Sequence, residues 1–141
     1  MIDRPTAAEL LSAVKEHLEK NVIPAIGDAR LRYQTLVAAH VASLVQREIE
    51  LGEAAARSEL ASLAALGPVG GGDLPAEPRT LAEVHAEVAR RTAALCAAIR
   101  QAGAASSPSV RAHVRRSVEA KLAVASPGYR SVRAARGGPT P

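Results

Sequence analysis

The chain has no Phe, no Trp and two Tyr, so aromatic residues make up 1% of its 141 positions. A core without rings must be built from Leu, Val, Ile and Ala, which bury less area per side chain. The same poverty argues against a single-strand nucleic-acid binder, where several aromatics interleave with basic residues. Only Tyr129 lies near the basic end of this chain. There is one cysteine, Cys96, which excludes an internal disulfide. Beside Leu95 and Ile99 it reads as a small buried hydrophobe in a reducing cytosol. No apolar run reaches the ~18 residues of a membrane span. Asp3 near the start, with no apolar stretch after it, points away from a signal peptide and toward a cytoplasmic protein.

What is present is aliphatic. Apolar residues make up 48% of the chain, which excludes a disordered polymer. A chain of this length is one domain and buries roughly 70% of its unfolded surface without metal or disulfide. The net charge of +4 is unevenly placed. Residues 1–110 hold 11 Lys/Arg against 13 Asp/Glu, and residues 111–141 hold seven against one. The first part is therefore slightly acidic and the end strongly basic.

The spacing predicts five helices. Thr6 and Glu9 form a capping box, and Leu10, Leu11, Val14 and Leu18 follow at helical spacing. Pro24 ends or kinks this first helix, 7–22, near Val22–Ile23. Asp28 caps a second helix, 29–51, whose apolar positions from Leu31 to Leu51 cover more than one stripe. Gly52 suits the residue after its end. A third, Ala-rich helix spans 53–66 and stops at Gly67-Pro68. Four Gly and three Pro in 67–79 mark a central loop. Thr80 and Glu83 form a second capping box, opening helix 81–102 with the stripe Leu81, Val84, Val88, Leu95 and Ile99. Gly103 closes that helix. Ser107-Pro108 starts the last helix, 108–125, in which Val110, Val114, Val118 and Leu122 recur four apart. Residues 131–141 read as a disordered basic tail. The fold class is all-α: a compact single-domain bundle, 1–130, of about five helices with a Gly/Pro-rich loop.

The residues place no reaction. His17, His40, His85 and His113 lack the spacing of a helical metal site and read as surface or boundary residues. His40, inside the apolar second helix, reads as a satisfied buried polar group. No nucleophile elbow is present, and Gly70-Gly71-Gly72 lacks the Lys-Ser/Thr of a phosphate loop. Glu48, Glu50, Glu53 and Glu59 form an acidic patch of solvated type. No catalytic, cofactor-binding or metal residues are assigned. The sharpest local signal is basic. Arg111, Arg115 and Lys121 recur at helical spacing, with Arg116 alongside and Tyr129 and Arg130 beyond the turn. Such donors suit one anion: a phosphorylated cofactor, an acidic partner or nucleic acid. A solvated face is the bland reading of the same residues.

The segment Arg4-Pro5-Thr6-Ala7-Ala8-Glu9-Leu10-Leu11 resembles the opening of a family of small bacterial helical proteins of unknown function. The likeness continues through Val22-Ile23-Pro24-Ala25-Ile26, Arg30-Leu31-Arg32-Tyr33 and Arg47-Glu48-Ile49-Glu50-Leu51-Gly52. It returns at Leu95-Cys96-Ala97-Ala98-Ile99-Arg100 and Val118-Glu119-Ala120-Lys121-Leu122-Ala123-Val124. These proteins are encoded beside aminoglycoside-phosphotransferase-like kinases and acyl-CoA dehydrogenases. The family is similar to the accessory subunit of the 4-hydroxyacyl-CoA kinase of levulinic acid catabolism. The resemblance implies a non-catalytic accessory subunit that binds and supports such a kinase. A corner of Tyr33, His40, Glu48 and Glu50 would lie in the contact. Arg111 to Arg130 would meet an acidic kinase surface or the CoA phosphates. Two positions depart from the family pattern: His40 stands where Asn is usual, and Ser126-Pro127-Gly128-Tyr129 where Asn-Pro-x-Tyr is usual. Two other functions remain open: a self-associating helical scaffold, with no membrane role, and a weak nucleic-acid binder.

Overall fold

A computed structural model of the chain describes residues 4–72, 80–102 and 107–129. Helix α1 spans Ala7–His17 and starts as its sequence requires. The Thr6 N–H donates to Glu9 Oε2 at 2.7 Å, and the Glu9 N–H donates to Thr6 Oγ1 at 3.2 Å. Each residue satisfies a donor that the helix start leaves open. A π-helical turn, Leu18–Val22, and a short α2, Ile23–Ala25, follow. Where an end or kink is expected, near Val22–Ile23, the coil widens and continues. Pro24 has no N–H to return to the turn before it. A wider turn, in which the Ile23 N–H reaches back to the Leu18 carbonyl, carries the chain past the proline. The direction breaks at Ile26, whose backbone is extended. Asp28 then caps the next helix, accepting from the Leu31 N–H at 2.7 Å.

That helix, α3, runs without a break over Ala29–Ala64. The expectation of two helices, 29–51 and 53–66, is corrected. Gly52 lies within α3 because nothing after it turns the chain. No proline follows, and Glu53-Ala54-Ala55-Ala56 are strong helix formers. Pairs four apart hold the coil on either side of it: Gln46 Nε2 donates to Glu50 Oε1 at 3.0 Å, and Arg57 Nε to Glu53 Oε1 at 2.9 Å. A lone glycine costs such a helix about 1 kcal/mol, too little to end it. The chain divides into two compact units, Met1–Gly52 and Glu53–Pro141, and α3 belongs to both.

The core of the second unit is aliphatic. Ala56, Leu60 and Leu63 of α3 are buried, as are Val84 and Leu95 of α4 (Leu81–Ala102) and Val110 of α5 (Pro108–Ala125). Val88, Ile99, Leu66 and Val69 pack against them. The α4 stripe is where the sequence puts it, except that Leu81 is exposed. The α5 stripe is not: Val110 is buried, but Val114 and Val118 are exposed. A strict four-residue repeat drifts around a 3.6-residue helix, and the buried face passes instead through His113 to Val124. Ser107 stands at the N-cap of α5 without a capping bond; its hydroxyl lies 2.8 Å from that of Ser109.

After α3 a 3-10 turn, Gly67–Gly70, bends the chain back over the helix end. A Cβ at Gly70 would sit 2.0 Å from the Leu63 carbonyl oxygen, so only glycine fits there. One arginine ties this turn to α4. Arg91 occupies the core stripe, one helical turn from Val88 and from Leu95, and is fully buried. Its Nη1 donates to the carbonyls of Gly70 and Gly72 at 3.0 and 2.7 Å. Its Nε donates to Glu87 Oε1 at 2.7 Å. The rest of the central loop, 73–79, lies outside the described residues, as do Gly103 and the tail. Among the described residues there is no strand, and the fold is all-α. No helix among them is long and apolar enough to cross a membrane.

Candidate functional site

Two polar features of the second unit and one apolar feature of the first stand out. The first is a polar seam between α3 and α5. Glu59 and Ser62, one turn apart on α3, face His113, Arg116, Ser117 and Lys121 of α5. Glu59 Oε1 accepts from Ser117 Oγ at 2.6 Å and from Lys121 Nζ at 2.8 Å. Ser62 Oγ accepts from Arg116 Nη2 at 2.9 Å and lies 2.8 Å from His113 Nδ1. After binding Arg116 the hydroxyl keeps its hydrogen and a second lone pair, so it can either donate to His113 Nδ1 or accept from it.

Burial pushes the His113 imidazole below its ordinary range; the charge of Glu59 opposes this, and Arg116 and Lys121 add to it. For Glu59, burial works against ionisation. The hydrogen bonds from Lys121 and Ser117, with the charge of Lys121, outweigh it and hold the carboxyl below its usual value. His113 is therefore held neutral and Glu59 ionised. A Ser–His pair is one mark of an activated nucleophile, but here Arg116 binds the hydroxyl oxygen and the carboxylate serves Lys121. The adjoining cavity of about 90 Å³ is well below the ~300 Å³ at which ligand pockets begin. This seam holds two helices in register.

It also makes stability depend on pH. Unfolded, His113 takes up a proton near 6.5, its ordinary value; folded, it resists until lower pH. Its contribution is complete above pH 6.5 and is lost as pH falls toward the folded value. Thermal melts by circular dichroism at pH 5 to 8 should show a falling melting temperature below 6.5. His113→Gln should flatten that slope. An unchanged slope in the variant would place the effect elsewhere.

The second feature is the outer face of α5. Arg111 and Arg115, one turn apart, line an apolar cavity of about 380 Å³ with Ile99, Val110 and Val114. The basic cluster read from the sequence is thus divided. Arg111 and Arg115 share this cavity, whereas Arg116 and Lys121 bond into the seam. The single anion site formed by all of them is corrected: positions 111 and 115 lie on one side of the helix, and 116 points to the other. Tyr129 is exposed beyond the helix, its N–H bonded to the Ser126 carbonyl at 2.9 Å. Arg130 lies outside the described residues.

The third feature is the first half of α3, which is inside out. Small residues, Ala39 and Ser43, face inward and are buried, while Tyr33, Leu36, Val37, Val41, Val45 and Ile49 are exposed. Of the expected corner, Tyr33, His40 and Glu48 share this exposed side. Glu50 lies on the opposite side and bonds to Gln46. His40 is exposed, not a buried polar group, and His113 is buried, not a surface residue. Cys96 is exposed rather than a buried hydrophobe. Of the acidic patch, Glu59 alone belongs to the seam. The seam itself escapes the sequence reading; its signal is the polar set His113, Arg116, Ser117 and Lys121 recurring three and four apart along α5.

Among the described residues no group of three or more His, Cys, Asp or Glu is placed to hold a metal ion. No curated protein and no solved structure matches the chain. Residues 24–129 match the family described as Domain of unknown function (DUF6285), and the chain belongs to that family.

Proposed function

We propose that this protein is a non-catalytic subunit that docks on a larger enzyme through the outer face of α5. The partner implied by the sequence resemblance is an aminoglycoside-phosphotransferase-like kinase acting on a (4-)hydroxyacyl-CoA in acid catabolism. The observation that carries the docking is the composition of that face. Val114 and Val118 are exposed beside Arg111 and Arg115, so an apolar strip is edged by guanidinium groups. Arginine beside exposed aliphatic surface suits an acidic, partly apolar protein surface, where it forms bidentate pairs with carboxylates. The genomic setting of the resembling family supports a kinase in that role.

Co-expression with an aminoglycoside-phosphotransferase-like kinase from the same source tests the reading. The two chains should leave a sizing column together at micromolar concentration. Arg115→Glu should weaken the complex about tenfold or more, and added salt should weaken it further. Lys15→Glu on α1 should leave it intact. Two separate peaks for the unsubstituted chains would remove the kinase reading.

A further inference from the structure

The first half of α3 exposes its larger apolar side chains and buries its small ones. We infer that this face pairs, antiparallel and two-fold, with the same face of a second copy of the chain. The charges at its two ends select that occupant. Arg30 and Glu48 are eighteen residues apart, which is five helical turns and roughly 27 Å. They therefore stand on one side of α3, at opposite ends of the strip formed by Tyr33, Val37, Val41 and Leu44. Ala39, midway between them and two and a half turns from each, is on the other side and is 1% exposed. Neither Arg30 nor Glu48 makes an ion pair among the described residues.

A strip with a cation at one end and an anion at the other is complementary to itself when inverted. Setting Arg30 against Glu48 of the second copy places Val37 against Val41 and Tyr33 against Val45. It repeats the ion pair at the far end by symmetry, as an isologous contact must. Antiparallel helices that pack in this way bury a continuous apolar seam with charges at its rim. Tyr33 is 68% exposed and Val41 51% exposed in the single chain; pairing covers both. A parallel pairing would instead set like charges against each other at both ends.

Sedimentation or light scattering on the purified full chain, at 10 to about 100 µM, reads the result. A dimer is expected. Val41→Glu puts two charges at the centre of the seam and should weaken the dimer at least about a hundredfold with unchanged helical content. Arg30→Glu alone and Glu48→Arg alone should each weaken it about tenfold. The double variant Arg30→Glu/Glu48→Arg restores both pairs and should recover the dimer. An equimolar mixture of the two single variants should recover it too. A monomer throughout the range overturns the inference. So does a dimer that survives Val41→Glu, or a charge swap that recovers nothing. None of these outcomes bears on the kinase contact, which Arg115→Glu scores separately.

Discussion

Arg91→Ala should destabilise the protein by about 3–5 kcal/mol, the range for breaking a buried charge from its partners. The substitution removes more than a charge. Arg91 fills a core position between Val88 and Leu95, so its stem packs as an aliphatic side chain. Its guanidinium group is the donor that the Gly70 and Gly72 carbonyls share. Without it two backbone acceptors lose a charged partner. Glu87 survives the change better. Arg90 binds it through Nε and Nη2 at 2.8 and 2.6 Å. Arg90 is the main reason its carboxyl is held at about 2, against a desolvation cost, with Arg91 adding to the effect. Arg91→Met keeps much of the volume and isolates the lost hydrogen bonds. It should cost less than Ala but well over 1 kcal/mol. Urea melts of the two variants decide this; a Met variant as stable as the parent would show that the arginine contributes packing alone. Among the described residues Arg91 Nη2 is buried without a hydrogen-bond partner.

Leu63→Ala should cost about 3–4 kcal/mol. Leu63 is fully buried and is the side chain at which α3 meets both Leu95 of α4 and Val110 of α5. Its surroundings have little freedom to close the hole. They are aliphatic, with no ring to swing inward. The backbone above is fixed as well, because Gly70 lies against the Leu63 carbonyl with no room for a Cβ. Leu63→Met, which conserves volume, should cost under about 1.5 kcal/mol. Val37→Ala on the exposed side of α3 should change the stability of the single chain by no more than about 0.5 kcal/mol. If Leu63→Ala were as mild as that control, the core would not be centred where the packing puts it.

Much of the fold is legible in the sequence because helix starts and stops are local chemistry. Thr6/Glu9, Asp28 and Thr80/Glu83 cap where they are read, and α4 and α5 have the predicted bounds. The errors fall where a local sign competes with something larger. Gly52 resembles a stop, but its neighbours favour helix and no left-handed residue closes the turn. Pro24 resembles an end, but the backbone absorbs it as a wider turn. The site was less legible for a different reason. Whether His113, His40 or Cys96 faces inward depends on what packs against its helix. Composition suggests Cys96 inside and His113 outside, and the structure has the reverse. Periodicity alone also could not tell which apolar side of α3 is covered. Leu36, Val37 and Val41 are ordinary core residues by type, yet they face outward while Ala39 and Ser43 are buried.

The two tyrosines are the only fluorescent side chains in the sequence, and in the single chain both stand in water, Tyr33 at 68% and Tyr129 at 54% exposure. Their ultraviolet emission is consequently blind to the aliphatic interior. Unfolding of the single chain will pass almost unnoticed in that signal and must be followed through the amide bands. The same blindness makes Tyr33 a built-in reporter of its own face: whatever covers it will quench or shift a nearly silent spectrum, without any label being attached.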